Sequence, residues 1–369
     1  METNIGQNDR LKSLDALRGF DMLFIMGLAG WIIALCDLLP SCGVAEWLSG
    51  QMRHVKWNGL THHDTIFPLF LFIAGISFPF SLAKQQANGK SRSSIYLKII
   101  KRGFLLVLLG VVYNGLFRFN FPDVRIASVL GRIGLAWMCA ALLFTTFRTR
   151  ICVIVAVVIL IGYWLTMWLI PGGNDPFSFE NNLVGMIDRV WMPGRLLSET
   201  FDPEGLYSTL PAIVTALLGM FTGQWVRLSK EQVSGNKKVI TMLIAAVMLI
   251  FIGWIWSFWF PVNKKLWTST FVCVVGGYSL LMFAIFYYII DVKGFSRWSF
   301  FFRVVGLNSI TIYLAQSIIN FQSTNKFFFA GLAEKLPEMW GNFILATTYI
   351  AVCWLFLYFL YKQKIFLKV

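Results

Sequence analysis

Apolar runs of about 18 residues or more recur along nearly the whole of this chain. As a helix, each run can cross roughly 30 Å of hydrocarbon. Inside a bilayer every backbone N–H and C=O has to be satisfied internally, so such runs become helices. The chain is therefore expected to be all-α, a polytopic transmembrane helical bundle. With 57% hydrophobic and 14% charged residues, 35 Phe and 15 Trp, it has more apolar surface than a water-soluble domain could bury. About ten spans are expected, at 17–38, 65–83, 99–117, 127–147, 151–170, 207–226, 239–260, 268–290, 301–320 and 341–361. They leave no room for a soluble domain, so residues 1–369 read as one transmembrane domain.

A net charge of +14 would suit nucleic acid if it formed one patch. The Lys and Arg residues alternate by loop instead. They favour the side carrying both termini by about two to one, which puts both termini in the cytoplasm and makes lipid, not nucleic acid, the expected partner. Met1–Ser13 is polar and unlike a cleavable signal, so the first span reads as its own insertion signal. Cys36, Cys42, Cys139, Cys152, Cys273 and Cys353 show no metal-ligand spacing. Cys139, Cys152, Cys273 and Cys353 read as small apolar residues within spans, and pairing of Cys36, near the end of the first span, with Cys42 is the less favoured reading. Segment 171–206 carries Pro171, Gly172, Gly173, Pro176, Pro193, Gly194 and Pro203, and reads as an irregular cap rather than a helix. No internal repeat is visible, which weighs against a transporter.

All three histidines, His54, His62 and His63, fall in the polar stretch Gln51–Asp64. Histidine is the usual proton carrier near neutral pH, although polar residues also simply fill exposed loops. The charges of Arg53 and Lys56 favour a neutral His54 ring that can accept a proton. Thr61-x-x-Asp64 ahead of an apolar run has two readings. Asp64 is either a helix-capping acid or a carboxylate that orients a histidine and holds its tautomer. Adjacent His62 and His63 would point about 100° apart on a helix, so at most one faces a shared pocket. Neighbours of this kind make poor metal ligands, and no metal is expected.

Other charged positions stand out. Arg18, in Ser13-Leu14-Asp15-Ala16-Leu17-Arg18-Gly19, is either a positive anchor or a fork for a phosphate-bearing donor from the cytoplasm. Arg132 lies about a turn inside a span, where a cation needs an interior partner; Asp21 and Asn114 are candidates. Asp202 and Glu204 precede a span, either as helix-entry residues or as a seat for a cationic or polyhydroxyl acceptor. Lys264, Lys265 and Trp267 read by themselves as interface anchors.

Several motifs then occur in a familiar order: Leu14-Asp15-x-x-Arg18-Gly19, His54-x-x-Trp57-Asn58-Gly59-x-Thr61, Asp64-x-x-Phe67-Pro68, Phe72-Ile73-x-Gly75 and Arg125-Ile126. These are followed by Arg132-Ile133-Gly134, Asp202-Pro203-Glu204-Gly205, Pro261-Val262-Asn263-Lys264-x-Leu266-Trp267, Asp291-Val292-Lys293-Gly294, Gly306-Leu307-Asn308-Ser309-Ile310 and Lys364-Ile365-Phe366. Over nearly its whole length the chain resembles the heparan-α-glucosaminide N-acetyltransferase family of membrane acyltransferases, as a compact prokaryotic-type member without the luminal N-terminal domain of animal members.

The resemblance implies an acetyl-CoA-dependent enzyme of the plasma (inner) membrane. It would acetylate the amine of a terminal glucosamine-type sugar on the far side, work as a homodimer and need no metal. His54 falls on the family's essential histidine, as general base or acetyl carrier. Asp64 would orient it, Asn58 would face the developing oxyanion, and Trp57 would stack on sugar or pantetheine. Arg18 and Arg132 would hold the phosphates of CoA. Asp202, Glu204, Lys264 and Trp267 would meet the sugar. One departure is Met26-Gly27-Leu28-Ala29-Gly30, where many relatives carry an Asn. O-acetylation of cell-surface glycans is the nearest alternative, and a transporter the more distant one.

Overall fold

The computed structural model describes residues 11–40, 42–118, 123–171, 175–229 and 231–367. Met1–Arg10, most of the polar leader, lies outside the described residues, as do Gly172 and Gly173.

Among the described residues the chain is helical, apart from one isolated bridge between Arg125 and Gly194. In chain order the helices are α1 (Lys12–Leu23), α2 (Ala29–Asp37), α3 (Gly43–Gln51), α4 (His62–Ala87) and α5 (Arg92–Tyr113). Next come α6 (Val129–Thr146), α7 (Thr149–Leu169), α8 (Leu183–Trp191), α9 (Thr209–Arg227) and α10 (Gly235–Trp256). The last are α11 (Ser269–Tyr287), α12 (Phe300–Leu307), α13 (Ser309–Ile318), α14 (Phe321–Ala333) and α15 (Glu338–Lys362).

Eight segments are long and apolar enough to cross a membrane: α1 continued through α2, then α4, α6, α7, α9, α10, α11 extended to Val292, and α15. The protein is an integral membrane protein. The other two expected spans are helical but differ in kind. The first is α5, whose opening turns carry Arg92, Lys98, Lys101 and Arg102. The second, 301–320, is divided at Asn308 into the short helices α12 and α13.

Three connections contain helix. Residues 43–51 and 321–333 form α3 and α14. Segment 171–206, expected to be an irregular cap, holds α8: its prolines lie outside residues 183–191, and the Asn182 side chain accepts from the Gly185 N–H at 2.8 Å, an N-cap. All six cysteines are free; Cys36 is buried and Cys42 exposed.

The most enclosed spans are α4, α9 and α11, while α7, α10 and α15 present apolar residues outward. Lipid tails are as apolar as side chains, so helices in a membrane are held by close packing more than by expulsion of water. The α4–α9 seam has the small residues this requires. A Cβ on Gly75 would stand 2.3 Å from the Ala216 carbonyl oxygen, and one on Gly219 2.1 Å from that of Phe72. Between α1 and α2 the helix widens for one turn, Phe24–Leu28, where Gly27 takes φ +127°.

Candidate active site

Thr61 ends an extended stretch and α4 starts at His62, so Asp64 falls in the first helical turn. It is only 1% exposed, and its two oxygens face different partners. Oδ2 accepts from the Thr61 N–H at 3.3 Å and hydroxyl at 2.9 Å, and from the Val55 N–H at 3.4 Å. Oδ1 lies 2.7 Å from His54 Nδ1. Asp64 is thus cap and orienter together, with one oxygen for each task. An ionised carboxylate only accepts, so Nδ1 of His54 carries the proton and Nε2 is left as the basic nitrogen. The His54 side chain is 54% exposed, so its ring is open to a ligand.

Lys264 arrives from the far end of the sequence. Its Nζ lies 3.3 Å from Asp64 Oδ1 and 3.2 Å from His54 Nδ1. With the proton on Nδ1, the ammonium donates to the carboxylate, and the Nδ1 distance records the three groups crowding one another. Burial lowers the Lys264 ammonium below the ordinary lysine value, against the opposing pull of Asp64. The turn that delivers it is closely tied. Asn263 Oδ1 accepts from the Leu266 N–H at 3.0 Å, and its Nδ2 donates to Asn58 Oδ1 at 3.1 Å. The Gly59 N–H donates to the Val262 carbonyl at 2.8 Å, and Lys265 Nζ to the Lys56 carbonyl at 2.8 Å. The loop that holds His54 is therefore docked onto the loop that supplies its neighbouring cation.

His54 and Lys264 line one side of a cavity of about 390 Å³, whose wall also includes His63, Glu204, Phe70 and Tyr313. Glu204 reaches it from a sealed ionic cluster. Arg125 grips Asp202 with two bonds, Nε to Oδ2 at 2.7 Å and a terminal nitrogen to Oδ1 at 2.6 Å, and also bonds Glu204. The N–H groups of Leu197 and Glu204 complete the bonding of Asp202. Burial would raise the Asp202 carboxyl, but the Arg125 guanidinium and these donors hold it below the ordinary aspartate value. The same carboxylates raise Arg125 despite its burial. Below them, Asp188 accepts the N–H groups of Asp202 and Leu206, each at 3.1 Å, and burial pushes its carboxyl up to about 6.

A second cavity, of about 610 Å³, is lined by Arg18, Arg102, Asp15, Ser77, Phe70 and Ile310, among others. Arg18 donates to Ser77 at 3.0 Å and stands 3.6 Å from Asp15. Arg102 lies over the Trp137 ring at 4.3 Å, with a buried Nε that has no hydrogen-bond partner. Phe70 and Ile310 line both cavities, so this pair stands between the two spaces.

His54, Asp64, Lys264 and Glu204 come together around the first cavity, and Arg18 stands in the second. The remaining expected residues are placed elsewhere. Arg132 is 2% exposed; it donates to the Gly205 carbonyl at 3.2 Å, bonds Ser208 and lies 5.0 Å over Trp267, at the end of the bundle away from Arg18. Asp21 and Asn114 are not its partners. Trp267 is buried between Phe67 and Phe271. Trp57 donates to the Phe177 carbonyl at 3.0 Å and packs on Phe179 and Phe201. Asn58 is bonded to Asn263 and, like Trp57 and Trp267, is absent from the wall of either cavity. Asp202 is enclosed by Arg125.

Two residues escaped the sequence reading. Arg102 was readable by the logic applied to Arg132, an arginine inside a span. Arg125 was visible in a motif, but nothing local announced its carboxylate partners, 77 and 79 residues away.

The sequence also matches known proteins. A family profile described as "Heparan-alpha-glucosaminide N-acetyltransferase, catalytic" matches residues 10–260. The heparan-alpha-glucosaminide N-acetyltransferase of Mus musculus is 25% identical over 428 residues, covering 100% of this chain and 62% of the mouse protein. The Homo sapiens protein of that name is 25% identical over 421 residues, covering 98% of this chain and 60% of its own length. The chain thus spans less than two thirds of the length of the curated relatives it matches. It belongs to the heparan-alpha-glucosaminide N-acetyltransferase catalytic family.

Proposed function

We propose that this member of the family transfers an acetyl group from cytoplasmic acetyl-CoA, through the bundle, to the amine of a terminal glucosamine-type sugar on the opposite side. The observation that carries the reading is the pair of neighbouring cavities that share Phe70 and Ile310 in their walls, with an Asp64-oriented imidazole in one and guanidinium groups in the other. Arg18 and Arg102 suit the phosphates of CoA, because a guanidinium fork matches phosphate oxygens. A donor entering there would extend its thioester past Phe70 toward His54.

The amine nitrogen attacks the acetyl carbon. A C–N bond forms, the C–S bond breaks, and the proton lost by nitrogen passes through His54 Nε2 to the departing sulfur. Asp64 stabilises the imidazolium that forms on the way. In the covalent variant, Nε2 itself first takes the acetyl group and then yields it to the amine. Lys264 is the cation nearest the reacting centre and takes over the oxyanion role first expected of Asn58. Glu204 at the cavity wall offers a carboxylate to a cationic or polyhydroxyl acceptor. The loop-by-loop bias of Lys and Arg supports cytoplasmic termini, and a plasma-membrane location rests on family resemblance. A homodimer rests on family resemblance.

Detergent-purified protein given acetyl-CoA and glucosamine should release CoA and form N-acetylglucosamine, and His54→Ala should abolish both. Acetylation of hydroxyl-only sugars with glucosamine left untouched would move the assignment to O-acyltransfer. Unchanged transfer by His54→Ala would remove the role given to His54.

A further inference from the structure

His62 and His63 are neighbours with different surroundings. The half-buried His62 ring packs 4.6 Å from Phe24 and 6.0 Å from Tyr278 and does not line the cavity. The His63 ring lies 4.4 Å from that of His54, tilted by 52°, and stands in the cavity wall with His54, Lys264 and Glu204. His63 makes no side-chain hydrogen bond. Its Nδ1 is sealed and unpartnered, while Nε2 is not sealed. A neutral imidazole offers one donor and one acceptor nitrogen, and few groups in this largely apolar cavity could engage either. Sites of this kind fix their ligands with a small number of placed polar groups. A polar atom left open beside the reacting ring is completed by what binds there.

We propose that His63 is an acceptor-binding residue, whose Nε2 hydrogen-bonds a hydroxyl or amino group of the sugar while His54 receives the proton. The inference rests on the amino-sugar acetyltransfer proposed above and adds a specificity-determining contact to it. Asp64 and Lys264 are engaged with each other and with His54, and Glu204 with Arg125. His63 is the polar wall residue without such a partner. Its ring also packs against His54, so a group bound to it is held adjacent to the basic nitrogen.

The test separates packing from hydrogen bonding. His63→Phe keeps a ring against His54 and removes both nitrogens, whereas His63→Gln restores a polar atom near the position of Nε2. His63→Phe should raise the KM for glucosamine about tenfold, equivalent to about 1.4 kcal/mol, and leave the KM for acetyl-CoA unchanged. His63→Gln should recover part of the loss, and His63→Leu serves the same purpose if the Phe variant does not accumulate. An unchanged glucosamine KM overturns the proposal. So does a parallel rise in both KM values that Gln does not relieve, because that pattern reports a structural role. If the wild-type protein acetylates no amino sugar, the proposed function fails and this inference falls with it.

Discussion

Asp64 and Asp202 are both sealed from solvent and both paired with a cation, yet their surroundings differ in one respect. Every partner of Asp202 is fixed protein: Arg125 on both oxygens, with backbone N–H groups filling the rest. Asp64 gives one oxygen to the start of α4 and the other to a ring that is 54% exposed at a cavity wall. One carboxylate closes a loop, and the other joins the backbone to an imidazole at a cavity wall. Under the proposed function, that difference separates a structural acid from one that serves proton transfer.

The comparison breaks most readily at Asp64. Asp64→Asn should lower acetyl transfer by roughly 10³- to 10⁴-fold, because an amide at this position favours the wrong tautomer of His54. Single-turnover kinetics should show the loss in kcat. Asp202→Ala should have its effect on folding instead. Leaving Arg125 buried without its main partner costs about 3–5 kcal/mol, visible as a lowered Tm in detergent, while the folded fraction keeps most of its activity. A catalytic collapse at Asp202 without loss of stability would erase the distinction.

Lys264 sharpens it further. Its ammonium titrates below the ordinary lysine value of about 10.4. Activity should therefore fall on the alkaline side before that pH is reached, as deprotonation removes the cation from Asp64. In Lys264→Arg, which stays charged, this limb should move to higher pH, and a pH–kcat/KM profile checks it.

The smallest effect is expected at Asp188, beneath the sealed cluster. Its value of about 6 lies above the ordinary aspartate value, so the folded state binds the proton more tightly than the unfolded state. Stability should rise as the pH falls through 6, by about 1 kcal/mol between pH 7 and 5. Asp188→Asn should flatten that part of the Tm profile.

The helical membrane architecture was legible because a span is a local property. Length and apolar content suffice, and eight segments meet both criteria. The α5 segment diverged because its basic first turns dilute the apolar run, and 301–320 because Asn308 interrupts a stretch that composition alone would carry through. In the site, the ten-residue interval from His54 to Asp64 was readable, since Thr61-x-x-Asp64 announces a helix start and the histidine precedes it closely. The same local signals could not separate a cap from an orienting acid, and the folded molecule uses Asp64 as both. Arg132 showed the limit from the other direction. An interior arginine was correctly seen to need a partner, but its partners are a carbonyl, a hydroxyl and an indole from loops that its own neighbours do not reveal.

Read alone, the amino-acid order determined that this chain lies in a membrane as helices, gathers its imidazoles at one polar junction and carries an acid at the right interval to serve one of them. Tertiary structure decided which imidazoles face the cavity, that Lys264 reaches Asp64 and His54 from a loop 210 residues beyond His54, and that Phe70 and Ile310 are shared by the walls of two cavities. The reason is physical. Helix formation and membrane burial add up residue by residue along a segment, whereas a contact between distant loops depends on how whole helices pack, and no local stretch encodes that geometry.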